Sequence, residues 1–263
     1  MSALGWILAA TTAGGILSAA SAGLFLLLPE GPRARVLPHL VSFATGALLG
    51  AALLGLLPEA VEDAGVHRVH AIGLALAAGI GVFFVLEKLL LWRHCHAEEC
   101  ETHSPVASHT DAHRDRATGV LVLVGDGLHN AIDGVLIAAT FLTDVRLGVA
   151  TAVAVTAHEI PQEIGDFAIL LHSGMQRWLA LILNLLSSLT AVLGGFIAYF
   201  ALRQALGVLP YALAVAAASL IYIAVADLIP GLHRRVDPRG SLAQVVLMTA
   251  GAALVAAIER HAH

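Results

Sequence analysis

The sequence predicts an all-α polytopic membrane protein with eight transmembrane helices. Three observations carry that expectation. Hydrophobic residues make up 58% of the 263 and charged residues only 13%. The mean hydropathy of +0.84 is far from the balance of a water-soluble domain. The apolar runs are long enough to cross a hydrocarbon core, which takes roughly 20 helical residues.

The first span, 4–28, lacks a basic leader segment and runs on into further spans, which argues against a cleaved signal. After a short connector containing Pro32, the second span covers 38–58 and ends in Leu57-Pro58-Glu59-Ala60; the third covers 70–92. The fourth is 118–140, the fifth 147–171, the sixth 178–201, the seventh 209–230 and the eighth 242–258. Gly46, Gly50, Gly79, Gly81, Gly194 and Gly195 are expected to let helices approach closely. Trp6, Trp92 and Trp178 lie toward span ends as interfacial anchors. Glu87, Lys88 and Asp227 are read as interfacial too.

The connector at 93–117 is the only long one, so residues 1–263 read as a single transmembrane domain. With the N-terminus outside, nine arginines fall in inward connectors against four outside, which favours both termini facing out. The formal net charge is −5 with no basic stripe, so nucleic acid is not an expected partner. Cys95 and Cys100 share one polar loop and do not form a disulfide framework.

Two polar runs interrupt this apolar background. The fourth span holds Asp126, His129, Asn130 and Asp133, whose spacing of three, one and three keeps them on one helical face. The fifth holds His158, Glu159, Gln162, Glu163 and Asp166 around Pro161. Ionisable groups inside a bilayer are expensive unless they face a partner, a cavity or an ion. Neither run contains Lys or Arg, so the carboxylates have only His129 and His158 for compensation and a bound cation is the cheaper solution. Imidazole nitrogen with carboxylate oxygen suits Zn²⁺ and other first-row divalent ions. Pro161 is expected to kink the fifth helix at the cluster. Glu163 and Gln162 are candidate metal ligands beside the two histidines, and Asp126, Glu163 and Asp166 can also serve as outer residues that hold the imidazoles or line the inward route.

These residues resemble the ZIP family of divalent metal transporters. The fourth-span motif reads His129-Asn130-Ala131-Ile132-Asp133-Gly134, and the fifth His158-Glu159-Ile160-Pro161-Gln162-Glu163. The likeness extends to Asn184-Leu185-Leu186-Ser187 in the sixth span and Ala226-Asp227-Leu228-Ile229-Pro230 in the seventh. The resemblance implies a ZIP-like bundle with kinked fourth and fifth helices, a prokaryotic-type member in the cell inner membrane, and a homodimer. It implies His129, Asp133 and His158 on one metal, with Asn130, Asp133, Glu159 and Asn184 around a second. The metal ions are substrates in that reading, zinc foremost and iron, cadmium, manganese or cobalt beside it, moved toward the cytoplasm with no catalytic cofactor.

Three positions depart from the family pattern. Gln162 stands where relatives have His or Glu, Gly55 where they place an entrance His, and Asn184 where some have Glu. Metal capture from outside then falls to Glu59, Glu62, Asp63 and His67. The loop with His94, Cys95, His96, Cys100, His103, His109 and His113 lacks zinc-finger spacing and fits exchangeable metal binding, as a sensor or acceptor.

Other classes fit less well. No phosphate-binding glycine motif is present for ATP-driven pumping. A metalloprotease would need a second zinc histidine where Gln162 stands. A metal-sensing membrane protein is the remaining alternative, told apart by metal occupancy without flux.

Overall fold

The computed structural model describes residues 2–25, 27–96, 111–233 and 238–260, and every regular element among them is helical. The helices are α1 (Ala3–Phe25), α2 (Glu30–Gly50), α3 (Leu57–Ala64), α4 (Val69–His96), α5 (Asp111–Thr143), α6 (Val145–His172), α7 (Arg177–Ser188), α8 (Thr190–Arg203), α9 (Leu209–Tyr222), α10 (Ile229–Leu232) and α11 (Pro238–Arg260).

Among the described residues, seven stretches are long and apolar enough to cross a membrane: Ala3–Phe25, Arg35–Ala64, Val66–Leu86, Val122–Thr143, Arg177–Arg203, Leu209–Leu232 and Gly240–Ile258. The helix outside that class is α6, with 28 residues. It has the length, and its composition sets it apart because it carries Glu159, Glu163 and Asp166.

Backbone irregularity falls in spans two, six and seven rather than in the polar helices. A π-helical turn, Ala51–Leu56, joins α2 to α3, and a second, Ile223–Leu228, joins α9 to α10. Each runs directly into a proline at the second position of the next helix, Pro58 or Pro230. The last wide bonds match as well: Leu57 N–H reaches the Ala52 carbonyl, and Ile229 N–H that of Ala224. Proline lacks an N–H and crowds the carbonyl four residues back, and the wider turn relieves that crowding. By contrast α6 continues through Pro161 as one helix and α5 is likewise uninterrupted, so the π turns lie outside the two helices expected to kink. Loss of one N–H at Pro161 leaves the flanking bonds to hold the helix.

The sixth span, expected as continuous, is divided at Leu189, where ψ opens to −8°. Thr190 steadies the division, its hydroxyl lying 2.6 Å from the carbonyls of both Gly127 and Ser187.

Small residues set the packing. A Cβ built on Gly194 would run into the Ala131 carbonyl, and one on Gly134 into that of Ala191, so α5 and α8 meet backbone to backbone. Gly46 against Met248 and Gly251 against Phe43 do the same for α2 and α11. Gly50, Gly79 and Gly195 also meet close neighbours, whereas Gly81 faces open space, contrary to expectation. The interior is rich in fully buried alanine, including Ala47, Ala51, Ala138, Ala154, Ala214 and Ala217, with Leu48, Leu56, Leu213 and Leu220. Large apolar side chains such as Leu74, Phe84, Leu186, Ile197 and Leu242 point outward, as in a bundle solvated by lipid.

Trp178 is exposed at a helix start, in keeping with an anchor, but Trp6 stacks on Phe141 at 6.1 Å and is part of the packing. The connector expected at 93–117 is shorter than that: α4 reaches His96 and α5 begins at Asp111. Cys100, His103 and His109 lie outside the described residues, as do the side chains of Glu87, Trp92, His94, Cys95, His96 and His113.

Candidate metal site

The site is built on a helical hairpin. A single residue, Asp144, separates α5 from α6, and its side chain accepts from the N–H groups of Arg146 at 2.7 Å and Leu147 at 3.1 Å. That cap satisfies two of the donors a helix start leaves open and turns the chain so that the polar faces of α5 and α6 oppose each other. At the far end of α6, Gly174 with φ of +80° closes the helix. Its N–H bonds to the Leu171 carbonyl and that of Met175 to the Leu170 carbonyl, a Schellman arrangement that requires the left-handed residue.

Four donor atoms converge between the two helices. The Nε2 atoms of His129 and His158 are 3.1 Å apart. Asp133 Oδ2 lies 3.3 Å from His158 Nε2 and 3.7 Å from His129 Nε2. Glu159 Oε1 lies 3.5 Å from each. A tetrahedral zinc with bonds of about 2.0–2.1 Å separates its ligands by roughly 3.3–3.4 Å, so the five separations match the edges of such a polyhedron. The Nδ1 of His158 sits 3.4 Å from the Ala154 carbonyl; a proton on Nδ1 would leave Nε2 with a lone pair for a metal. His158, Asp133 and Glu159 are buried, while the His129 side chain keeps 24% of its surface and forms the accessible side.

A second group adjoins the first. Asp126, Glu159 and Glu163 bring carboxylate oxygens within 4.8 Å of one another, so Glu159 is common to both groups. Asp126 Oδ1 accepts from Asn130 Nδ2 at 3.0 Å and, more weakly, from Gln162 Nε2 at 3.5 Å. Asn130 and Gln162 therefore each turn an amide nitrogen toward Asp126. Asn184 is fully buried and neither side-chain polar atom has a hydrogen bond. Asp126 Oδ2, Glu163 Oε2 and both carboxylate oxygens of Asp133 and Glu159 are likewise buried without one. Asp166 is half-buried and belongs to neither group. Of the expected entrance residues, Glu62, Asp63 and His67 are exposed.

Sequence reasoning missed Ser188. Its hydroxyl donates to Glu163 Oε1 and lies 2.8 Å from the Asn184 carbonyl. The only signal was a pair of hydroxyl residues in an apolar span, which reads as generic helix packing.

The model of the ZIP zinc transporter family matches residues 92–259, well over half of the chain, and takes in both polar helices. The chain belongs to the ZIP family. Zinc transporter ZIP13 of Pongo abelii is 35% identical over 234 residues, covering 82% of this chain and 64% of its own length. Human ZIP13 is 33% identical over 257 residues, covering 82% and 68%, and human ZIP4 is 31% identical over 281 residues, covering 82% and 42%. This ZIP chain thus spans about two thirds of the ZIP13 relatives and less of ZIP4. These relatives are animal proteins, so the prokaryotic-type placement expected from the motifs gives way to a likeness to vertebrate members.

Proposed function

We propose that this ZIP chain moves Zn²⁺ across a membrane toward the cytoplasm, with Fe²⁺, Cd²⁺, Mn²⁺ or Co²⁺ as lesser substrates. His129, Asp133, His158 and Glu159 hold the ion between α5 and α6. The observation that carries the reading is the convergence of two imidazole nitrogens and two carboxylate oxygens at the edge lengths of a tetrahedral site. Burying several carboxylate oxygens without hydrogen bonds is costly, and a divalent cation offsets that cost. Asp126, Glu163 and Asn184 form a second, oxygen-only position, with Asn130 and Gln162 orienting Asp126. Metal is cargo in this reading, and the chain performs no covalent chemistry.

With α6 counted as a span, the bundle has eight. The arginine distribution supports both termini outside, in a cell membrane. Residues 1–263 act as one transporter domain, two copies pair as a homodimer, and the segment 93–117 serves as an exchangeable metal acceptor on the cytoplasmic side.

The test is flux into proteoliposomes across Zn²⁺, Cd²⁺, Fe²⁺, Mn²⁺ and Co²⁺, comparing the native chain with His129→Ala and Asp133→Ala. Saturable zinc flux lost in both variants supports the transporter. Metal binding without flux in folded, correctly oriented protein moves the assignment to a sensor.

A further inference from the structure

Glu163 enters the metal-binding region with its two oxygens in different circumstances. Oε1 accepts the Ser188 hydroxyl, whereas Oε2 is buried with no hydrogen bond. Ser188 is itself fully buried and ends α7 at the division of span six. It is held on several sides. Its own hydroxyl lies 2.8 Å from the Asn184 carbonyl. The next turn is tied to α5 through Thr190 and the Gly127 carbonyl at 2.6 Å. On the α1 side, a Cβ on Gly15 would come within 3.2 Å of the Ser188 carbonyl, so there is little room for it to move that way. A serine hydroxyl has one proton to donate, and an ionised carboxylate is a stronger acceptor than a backbone carbonyl.

We propose that Ser188 is a specificity-determining positioning residue: by occupying Oε1 it makes Glu163 a one-oxygen ligand and so favours zinc over larger divalent ions. This deepens the proposed transport function and rests on it. Zinc is satisfied by four ligands, one atom from each. Ions such as Mn²⁺ and Ca²⁺ take six or more oxygens and gain from carboxylates that bind through both. With Oε1 engaged by Ser188, Glu163 offers an ion Oε2 alone. Without that hydroxyl, the same carboxylate is released to chelate through both oxygens, and the preference drifts toward the larger ion. The helix division at Leu189 acquires a purpose in this account, since it fixes the last residue of α7 against α6 at the depth of Glu163.

The experiment measures the ratio of Zn²⁺ to Mn²⁺ uptake in proteoliposomes for the native chain, Ser188→Ala, Ser188→Thr, Glu163→Gln and the Ser188→Ala/Glu163→Gln double variant. Ser188→Ala is expected to lower the ratio about three- to tenfold, the weight of one hydrogen bond. Ser188→Thr, which keeps a hydroxyl, retains the native ratio. In the Glu163→Gln background, Ser188→Ala brings no further change, because its effect passes through that carboxylate. An unchanged ratio in folded Ser188→Ala overturns the proposal. So does an equal drop with and without the Glu163 carboxylate, which would mark Ser188 as a packing residue. Should Ser188→Ala fail to fold, Ser188→Cys, a weak donor of similar size, is expected to give an intermediate ratio, and a native ratio there counts against the idea. Failure of the transport reading shows separately, as native zinc flux that is indifferent to His129→Ala in the same preparation.

Discussion

His129 and His158 stand 29 residues apart in sequence, yet their Nε2 atoms approach to 3.1 Å and their rings meet edge to face at 85°. Two nitrogens that close compete for one proton or share one metal. Asp133 and Glu159 complete the enclosure from the same two helices, which makes the metal the arrangement that satisfies all four groups at once.

Truncating any of the four is expected to be severe. His129→Ala, Asp133→Ala, His158→Ala and Glu159→Ala should each weaken zinc binding by at least about 10–100-fold, the range seen even for residues that only support metal ligands. Titration calorimetry of detergent-solubilised protein measures this directly. A loss under threefold at His158 would remove it from the binding set.

Gln162 should behave differently. Its amide nitrogen points to Asp126 at 3.5 Å, so Gln162→Ala is expected to change zinc affinity by less than about threefold, in line with loss of one weak hydrogen bond. A loss comparable with that of His129→Ala would mean that the amide oxygen turns onto the ion when metal arrives.

Acid should oppose the metal. Imidazoles and carboxylates bind zinc only when deprotonated, so binding releases protons and weakens as pH falls. Calorimetry in two buffers of different ionisation enthalpy is expected to give net proton release, with flux decreasing on acidification of the loading side. Proton uptake on binding would contradict the ligand set.

Packing offers a contrast with an internal control. Gly194→Ala forces a Cβ into the Ala131 carbonyl on α5, and should cost about 1–3 kcal/mol through overpacking. Gly81→Ala meets nothing within 4 Å and should leave stability within about 0.5 kcal/mol. Thermal unfolding in detergent compares the two, and equal midpoints would mean that α5 and α8 do not pack as described.

The cap at Asp144 is a further quantity to test. Asp144→Ala leaves the Arg146 and Leu147 N–H groups without their acceptor, and is expected to cost about 1 kcal/mol. Asp144→Asn, which retains a side-chain oxygen, should recover most of it.

Much of this was legible because periodicity is a strong signal. Asp126, His129, Asn130 and Asp133 could be placed on one face from spacing alone, and His158 with Glu159 opposite them from the short connector. Spacing does not resolve rotamers, however. Residues 158, 159 and 162 share a face, and spacing alone does not say that the Gln162 amide nitrogen turns toward Asp126. The division at Leu189 was illegible for a different reason. Leu-Leu-Ser-Ser-Leu-Thr contains no proline or glycine, and the interruption comes from tertiary bonds made by Ser188 and Thr190. The π turns had a signal in Pro58 and Pro230, but proline alone does not say whether a helix bends, widens or, as at Pro161, carries on.

The one-residue link at Asp144 makes α5 and α6 the two arms of a pair of tongs. At a rise of 1.5 Å per residue, His129 and His158 lie roughly 20 Å from that pivot. Spreading the arms by about 5° would then part the donor atoms by about 2 Å at that radius. A grip whose edges measure 3.1–3.7 Å does not survive such a displacement, so release of the ion demands only a small angular change, and the leverage for it lies at the end of the hairpin opposite Asp144.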